Sequence, residues 1–491
     1  MLQVPAAILN TTIFRAMKRT FWIPLLFFGG LLSLSAQKIT VSEAIDLRDD
    51  IAYDILGEWS GQFLLLRDQA ITFQVLGFNK QMEQVWEKNL ELDRRRPQIV
   101  EVINEKKGFT IAYTYKKDLK LHLKIHRYDP AANLLDSATV ATFSSELAPS
   151  KLRTLISEDR SKLLVHRLEQ LRDIQIFSFD LDSLTLLWEE ILQIPDFDYK
   201  QNFQQMLVDN EGNMFCILNR DNYRASNAQH RYEVFTQGPS FGNKLQRFDI
   251  LLGEKRTFDV RFTFDNLNQQ LVAGGLYSDD NLFRAIGSFY LRLPMAEPDK
   301  STLEFEAFDD NFALAFMGKN FNAKNKGITE TVVRQLVLRK DGGILMIGER
   351  ERIYQRNLSG GRFDMGGGRF VMDHYLDDLF IISFNPDGSI HWKDIFHKKQ
   401  YSQDDYAMYS SYLLVKTPYN LRLLFNDEIR NENTVSEYII SPTGEFDRNS
   451  VMSTDKKKLK LRFRDAIQMT GNEVIVPSER RNRLKLVRIT L

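Results

Sequence analysis

An all-β fold is predicted: a β-propeller of eight four-stranded blades, or seven if a terminal copy is degenerate, with the ring closed by an amino-terminal strand. Three observations predict it. A turn followed by a short apolar strand recurs eight times, with first apolar residues Phe63, Phe109, Leu163, Met214, Leu271, Ile344, Leu421 and Val474; the steps between them are 46, 54, 51, 57, 73, 77 and 53 residues. A second ruler keeps step with the first: Asn79, Asp129 and Asp180, each preceded by an aromatic residue, stand 50 and 51 residues apart. The clearest copy, 377–396, reads as an antiparallel hairpin, with an apolar run at 379–384, a tight turn at Asn385-Pro386-Asp387-Gly388 and a returning strand that carries Trp392.

The amino terminus comes first. Met17-Lys18-Arg19, an apolar stretch at 21–32 and the small residues Ser33-Leu34-Ser35-Ala36 form the three regions of an export signal. Residues 1–36 are therefore expected to be removed, with Met17 as a candidate true start. Pro24, Gly29, Gly30 and the short length argue against a retained membrane span. No cysteine follows the apolar stretch, so a lipid anchor is not expected there. Residues 37–491 are then one propeller domain, exported to the periplasm or beyond.

Composition narrows the function classes. Lys plus Arg and Asp plus Glu number 65 each, so no overall field favours nucleic acid or another polyanion. The single cysteine, Cys216, lies in an apolar run and reads as a buried small hydrophobe.

Strands follow in order within each repeat. In the sixth they are expected at 332–338, 344–348, 379–384 and 390–396; the fourth is blurred between Arg231 and Leu252. The last repeat offers 459–464, 474–477 and 484–489 and then lacks a fourth strand. Lys38–Val41 is β-like and spare, so it is predicted to complete that blade. Trp86, Trp188 and Trp392 are expected to act as apolar plates between blades. The basic stretch from Asp455 to Leu491, 11 Lys and Arg against 4 Asp and Glu, alternates at 458–464 as a half-buried strand does, which makes it a solvated face.

Strand direction sorts the long connections. Loops between the second and third strands of a blade, and from one blade to the next, emerge on one face of the ring. The long segments 218–230, 308–330, 349–376 and 397–408 all have that placement, and long loops clustered on a rigid scaffold are where binding is expected. Within them Asp309-Asp310-Asn311 is expected to cap a short helix with Phe312 and Phe316 on one side, as a plug or lid. The candidate binding face comprises Arg350, Arg352, Tyr354, Arg362, Lys399, Gln400, Asp404, Asp405, Tyr406, Asn426 and Asp427, around a glycine-rich loop at 359–368. Arginine, tyrosine and carboxylates together suit a polar ligand or a partner chain.

Catalytic signatures are thin. The sequence has no Gly-x-Ser-x-Gly elbow, zinc-protease motif, phosphate loop or paired cysteines. No cofactor and no metal are expected; Asp180-Leu181-Asp182 and Asp196-Phe197-Asp198 read as turn chemistry, and His391 and His397 as exposed positions. Whether the chain is an enzyme is left open by these residues.

The segments DDLFIISFNPDGSIHW, DGGILMIGER, KKQYSQDDYAMYSSY and LLFND, within 330–430, resemble uncharacterised secreted propeller-like proteins of Bacteroidota. The resemblance implies a β-propeller and export, and no activity. Some exported proteins of such bacteria carry a further sorting domain, and its absence after the last repeat favours the periplasm. The expected function is an exported, non-catalytic binding or scaffolding propeller of the cell envelope, with an envelope protein or glycan as partner and no nucleic acid. The alternative is a hydrolase or lyase acting on a glycan or peptide, with Glu349, Asp404, Asp405 and Asp427 as acid or base.

Overall fold

The computed structural model describes residues 38–491 except 94–95, 145–150, 170–171, 224–227, 280–281, 322–325, 359–368, 428–433 and 456. The proposed export signal and the Met17 start lie outside the described residues. Eight antiparallel four-stranded blades follow one another around a ring, at 52–90, 98–144, 153–192, 203–251, 256–307, 331–396, 413–453 and 467–490. All eight apolar residues that set the sequence ruler fall on the second strand of their blade. Seven of them, from Phe63 to Val474, have no exposed surface; Leu421 is half-buried. That strand is covered by a neighbouring blade on both faces, which is why it reads as a continuous apolar run.

The core is divided among the junctions. An apolar cluster sits between each pair of adjacent blades, including the last and first, where Ile475, Leu484 and Leu486 pack with Phe63, Leu65 and Leu76. Lys38–Val41 pairs antiparallel with Arg483–Thr490, Lys38 opposite Thr490 and Val41 opposite Val487, and so supplies the fourth strand of the last blade. Ile45–Asp46 adds a further short pairing to the same strand.

Tryptophan seals junctions as expected. The Trp188 indole N–H donates to the Gly212 carbonyl of the next blade at 3.0 Å, and Trp392 donates to Pro442 of the next at 3.0 Å. Each stands opposite a small residue, Ser178 or Ser383, beside a β-bulge. Trp86 covers Gly77 of its own blade, where a side chain would collide with it, and packs against the cluster between blades one and two. Cys216 is buried and its thiol is pushed up to about 12 by burial.

Two sequence expectations fail here. The innermost strand of the last blade is Ile467–Thr470, not 459–464. In that earlier stretch Leu459, Leu461 and Phe463 are buried, as the alternation suggests, but Leu461 makes a single bridge to Ser478 and the chain turns at Phe463–Asp465. A three-residue 3₁₀ turn ends the alternation before a ladder can form. The helix Asp310–Met317 does form, with the Asp309 carboxylate accepting the Phe312 N–H at 2.8 Å. It is a wedge rather than a lid: Phe312 and Phe316 pack edge-on against Phe380 in the cluster between blades five and six.

A feature absent from the sequence reading shapes the channel wall. The innermost strands of blades one, two, four, five, six and eight each carry a register shift against the second strand. Polar side chains beside these bulges reach the inner strand of a neighbouring blade. The Gln205 amide donates to the Phe262 carbonyl and accepts the Phe262 N–H, Gln468 does the same to Lys416, and Asp259 accepts the Val333 N–H at 2.7 Å.

Asp54, on the inner strand of blade one, is less well placed. Burial, with Glu101 and Asp68 adding like charge, raises its pKa to about 6. A raised carboxyl pKa means that its contribution to stability is whole below the unfolded value and is lost as pH rises through about 6. Asp54→Asn should therefore be more stable than the wild type at pH 7.5, by about 2 kcal/mol after allowance for partial exposure, and equal to it near pH 4. Urea midpoints across that range test this; a pH-independent difference would show that Asp54 ionises freely.

Candidate functional site

Blade six carries the largest departure from the common plan. Its second and third strands, Ile344–Leu358 and Arg369–Phe384, run to 15 and 16 residues and pair along their length, so that they stand beyond the other sheets as a two-stranded ribbon. The sequence reading placed Arg350, Arg352 and Tyr354 on a loop; they are on a strand. Arginine and glycine density conceals the pattern, yet Ile353-Tyr354 and Phe370-Val371, flanking a glycine-rich tip, are hairpin residues. The tip itself, 359–368 with Arg362, lies outside the described residues.

A third strand, Gln400–Gln403, extends the ribbon by pairing with its returning arm, Tyr375 opposite Tyr401. Directly opposed residues share a face. On one face Arg352 lies over the Tyr375 ring at 5.0 Å, Tyr375 packs on Tyr401 at 4.8 Å and on Tyr354 at 5.9 Å, and Arg356 pairs with Asp373. The Tyr401 hydroxyl donates to Asp373 at 2.7 Å, and the Tyr354 hydroxyl donates to Glu330 at 3.1 Å. Asp404 accepts the Met372 N–H at 2.9 Å and so holds the third strand in place, while Tyr406 beside it is 86% exposed.

Beneath the ribbon lies a buried ionic cluster. Glu349 and Lys398 have no exposed side-chain surface and meet at 2.6 Å; Arg334 pairs with both Glu349 and Glu351. Burial pushes the Glu349 carboxyl up, but Lys398 and Arg334 overcome it and hold the pKa below the ordinary value, so Glu349 is ionised. The network continues into blade seven. The Ser411 hydroxyl donates to Glu349 at 3.0 Å, Gln400 donates to the Asn426 carbonyl at 2.7 Å, and Asn426 donates to the Tyr409 and Leu461 carbonyls.

The candidate face therefore divides. Arg350, Gln400 and Asn426 are buried and tie segments together: Arg350 donates to the Met317 carbonyl and pairs with Glu330 at 3.2 Å. They are not available to a ligand. Sequence assigned them to loops, where polarity reads as exposure; their partners come from segments up to 35 residues away. Arg352, Tyr354, Lys399, Asp404, Asp405, Tyr406 and Asp427 remain at least partly accessible.

The four carboxylates considered for catalysis are not free. Glu349 is enclosed, Asp427 is paired with Arg448 at 2.6 Å and accepts from Ser436, Asp405 accepts the Ala407 N–H, and Asp404 holds the ribbon. Asp427, Lys399, His397, Asp378 and Arg448 line an open cleft of about 670 Å³ between blades six and seven. Charges of both signs alternate around it, and His397 meets Asp378 at 3.1 Å.

No family model matches the chain, and no curated protein matches it. Among solved structures it is similar to the uncharacterised protein lmo1340 of Listeria monocytogenes, at 8% identity and a TM-score of 0.39 over 77% of this chain and 89% of that one. A protein of unknown function from Bacteroides caccae is 14% identical with a TM-score of 0.28, over 69% and 94% of the two chains. The β-propeller domain of the Trilobed protease from Pyrococcus furiosus is 9% identical with a TM-score of 0.36, over 84% and 98%. At such values none of the three carries an inference about activity or partner. Among the described residues no helix is long and apolar enough to cross a membrane, which says nothing of β-barrels.

Proposed function

We propose that the protein is an exported propeller of the cell envelope that binds or scaffolds a partner, and that it does so with the blade-six ribbon and its surroundings. The observation that carries this reading is the stacked face of Arg352, Tyr354, Tyr375 and Tyr401 on a projecting, rigidly founded ribbon. Arginine and tyrosine dominate binding energy at protein interfaces because each brings a large contact area with few degrees of freedom. The buried Glu349–Lys398 cluster fixes the ribbon's base, so little order has to be gained on binding. Export and the compartment rest on the amino-terminal signal alone. The engagement of Glu349, Asp404, Asp405 and Asp427 in structural contacts favours binding over acid–base catalysis.

The test is a shortened ribbon. Arg352 and Tyr375 are directly opposed, so an Asn-Gly turn can join them in place of 353–374, which also removes the partners of Ser402, Gln403 and Asp404 on the returning arm. Capture from envelope extract should recover a partner with the full chain and lose it with the shortened one, which should still unfold in a single cooperative transition above the capture temperature. Identical captured sets from both would remove the ribbon from the function.

A further inference from the structure

We infer that blade eight carries a binding site of its own for an anionic polysaccharide: cations gathered at the turn 480–483 receive the charges of the sugar chain, and the polar cavity beside them, between blades eight and one, takes one of its rings. This site is separate from the ribbon and does not depend on the function proposed for it.

Charge is balanced over the whole chain, so an excess in one place is local. Of the 11 Lys and Arg from Asp455 onward, Arg462 pairs with Asp465 and Glu479, and Arg488 pairs with Glu58 and Glu473. Lys456 lies outside the described residues. The other eight have no carboxylate partner among the described residues. Asp46 does stand opposite Arg483, but Arg48 holds it with bonds of 3.0 and 2.9 Å.

Strand register brings these cations together. Arg480 is opposite Arg483 and Ser478 is opposite Lys485, and residues that are opposed or two apart share a face of the sheet. The Lys460 N–H donates to the Ser478 hydroxyl at 2.8 Å, and the Lys485 ammonium donates to the Lys457 carbonyl at 3.4 Å. Lys457, Lys460, Lys485, Arg480 and Arg483 therefore gather about one buried serine. The Lys460 ammonium lies 3.6 Å from the centre of the Tyr409 ring; burial lowers its pKa, Arg480 adds like charge, and the opposing pull of Asp405 does not cancel them. An anion placed here relieves a repulsion that the chain leaves standing. The turn joins the second and third strands of its blade, so it emerges on the same face of the ring as the ribbon, two blades further on.

The surroundings select the kind of anion. Between Lys457 and Lys485 no large apolar side chain is exposed. Protein partners are held at aromatic and apolar anchors, single nucleic acid strands on exposed aromatic rings, and membranes by apolar side chains sunk below the headgroups. This surface offers none of the three. It does offer partners for hydroxyl groups. Arg464, Asn482, Tyr53, Asp465 and Glu479 line a cavity of about 640 Å³. Asp465 and Glu479 share Arg462, and Asp50, also in the wall, is held by Arg67. Paired carboxylates keep lone pairs for O–H donors and do not need a further charge. Tyr53 has a buried hydroxyl with no hydrogen-bond partner. A chain with a charge on every sugar meets several of the outer cations at once, which multiplies weak single contacts.

The probe is a fluorescein-labelled oligogalacturonide, read by anisotropy against the full chain at low salt. Saturable binding is expected, weakened about tenfold or more by Arg480→Gln combined with Arg483→Gln at an unchanged melting temperature, because neither side chain has an ion-pair partner to lose. The neutral methyl ester of the same oligosaccharide should bind at least about tenfold more weakly to the unaltered chain. Asn482→Gly keeps the left-handed turn, φ being 58° there, and removes only the amide, so binding should fall a few-fold. The chain with the shortened ribbon should bind as the full chain does. Absence of saturable binding, or equal binding by the double variant or of the methyl ester, overturns the site. Unchanged binding by Asn482→Gly overturns the part given to the cavity. Equal binding of a poly-glutamate peptide of the same charge overturns the sugar, and binding of phosphatidylglycerol vesicles without the oligosaccharide overturns it in favour of a membrane surface. Loss of binding on shortening the ribbon moves the site there and overturns blade eight, whereas failure of the blade-eight variants leaves the ribbon's own capture result standing.

Discussion

Glu349→Ala should lower the stability of the propeller by about 3–5 kcal/mol, because it strands the Lys398 ammonium where no water reaches it. The charge has the Gln400 amide oxygen and the Leu376 carbonyl nearby, both neutral, and Arg334 beside it adds repulsion once the carboxylate is gone. Lys398→Met alone should cost a comparable amount by leaving the buried carboxylate with Arg334 and the Ser411 hydroxyl. Glu349→Leu combined with Lys398→Met, which replaces the pair by apolar groups of similar size, should recover much of the loss. Urea unfolding of the two single variants and the double variant decides the matter. Additive losses would mean that the two charges do not depend on one another.

A chain that begins at residue 44 should lose about 3 kcal/mol and its single sharp transition. Removing Lys38–Val41 uncovers Val487 and Ile489, which have no exposed surface in the intact blade, and opens the edge of Arg483–Thr490. Recovered backbone entropy at four positions offsets part of this, at about 1–2 kcal/mol each against a similar sum from ladder bonds and the half-buried Ile39 and Val41. A peptide spanning 38–46 added to the shortened chain should restore the midpoint. An unchanged midpoint without the peptide would show that the last blade stands on three strands.

Much of this architecture is legible in the residues because one strand per blade is covered on both faces. Phe63, Phe109 and their counterparts must be apolar, so burial prints the ring's period directly on the chain. Lys38–Val41 is legible by subtraction, and Asp309 by the cap it provides to the Phe312 N–H. What is hidden depends on partners far away in sequence. Gln400 and Asn426 look like surface polar residues until Ser411 and Leu461 are placed around them. The ribbon is hidden for a different reason: its cross-strand pairs join Arg to Asp and Tyr to Tyr rather than apolar to apolar, so no hydrophobic alternation marks it. The 459–464 stretch misleads in the opposite sense, since alternating burial without a facing strand yields an extended segment and not a sheet.

The pairing of Lys38–Val41 with Arg483–Thr490 sets an order on folding. The earliest-made strand of the ring finds its neighbour only when the final one has emerged, so the circle stays unlatched throughout synthesis. Contacts between residues this distant form slowly, because the intervening chain must first be brought together. A polypeptide threaded through a membrane before it folds would meet that requirement only on the far side, once the final strand has followed the first across.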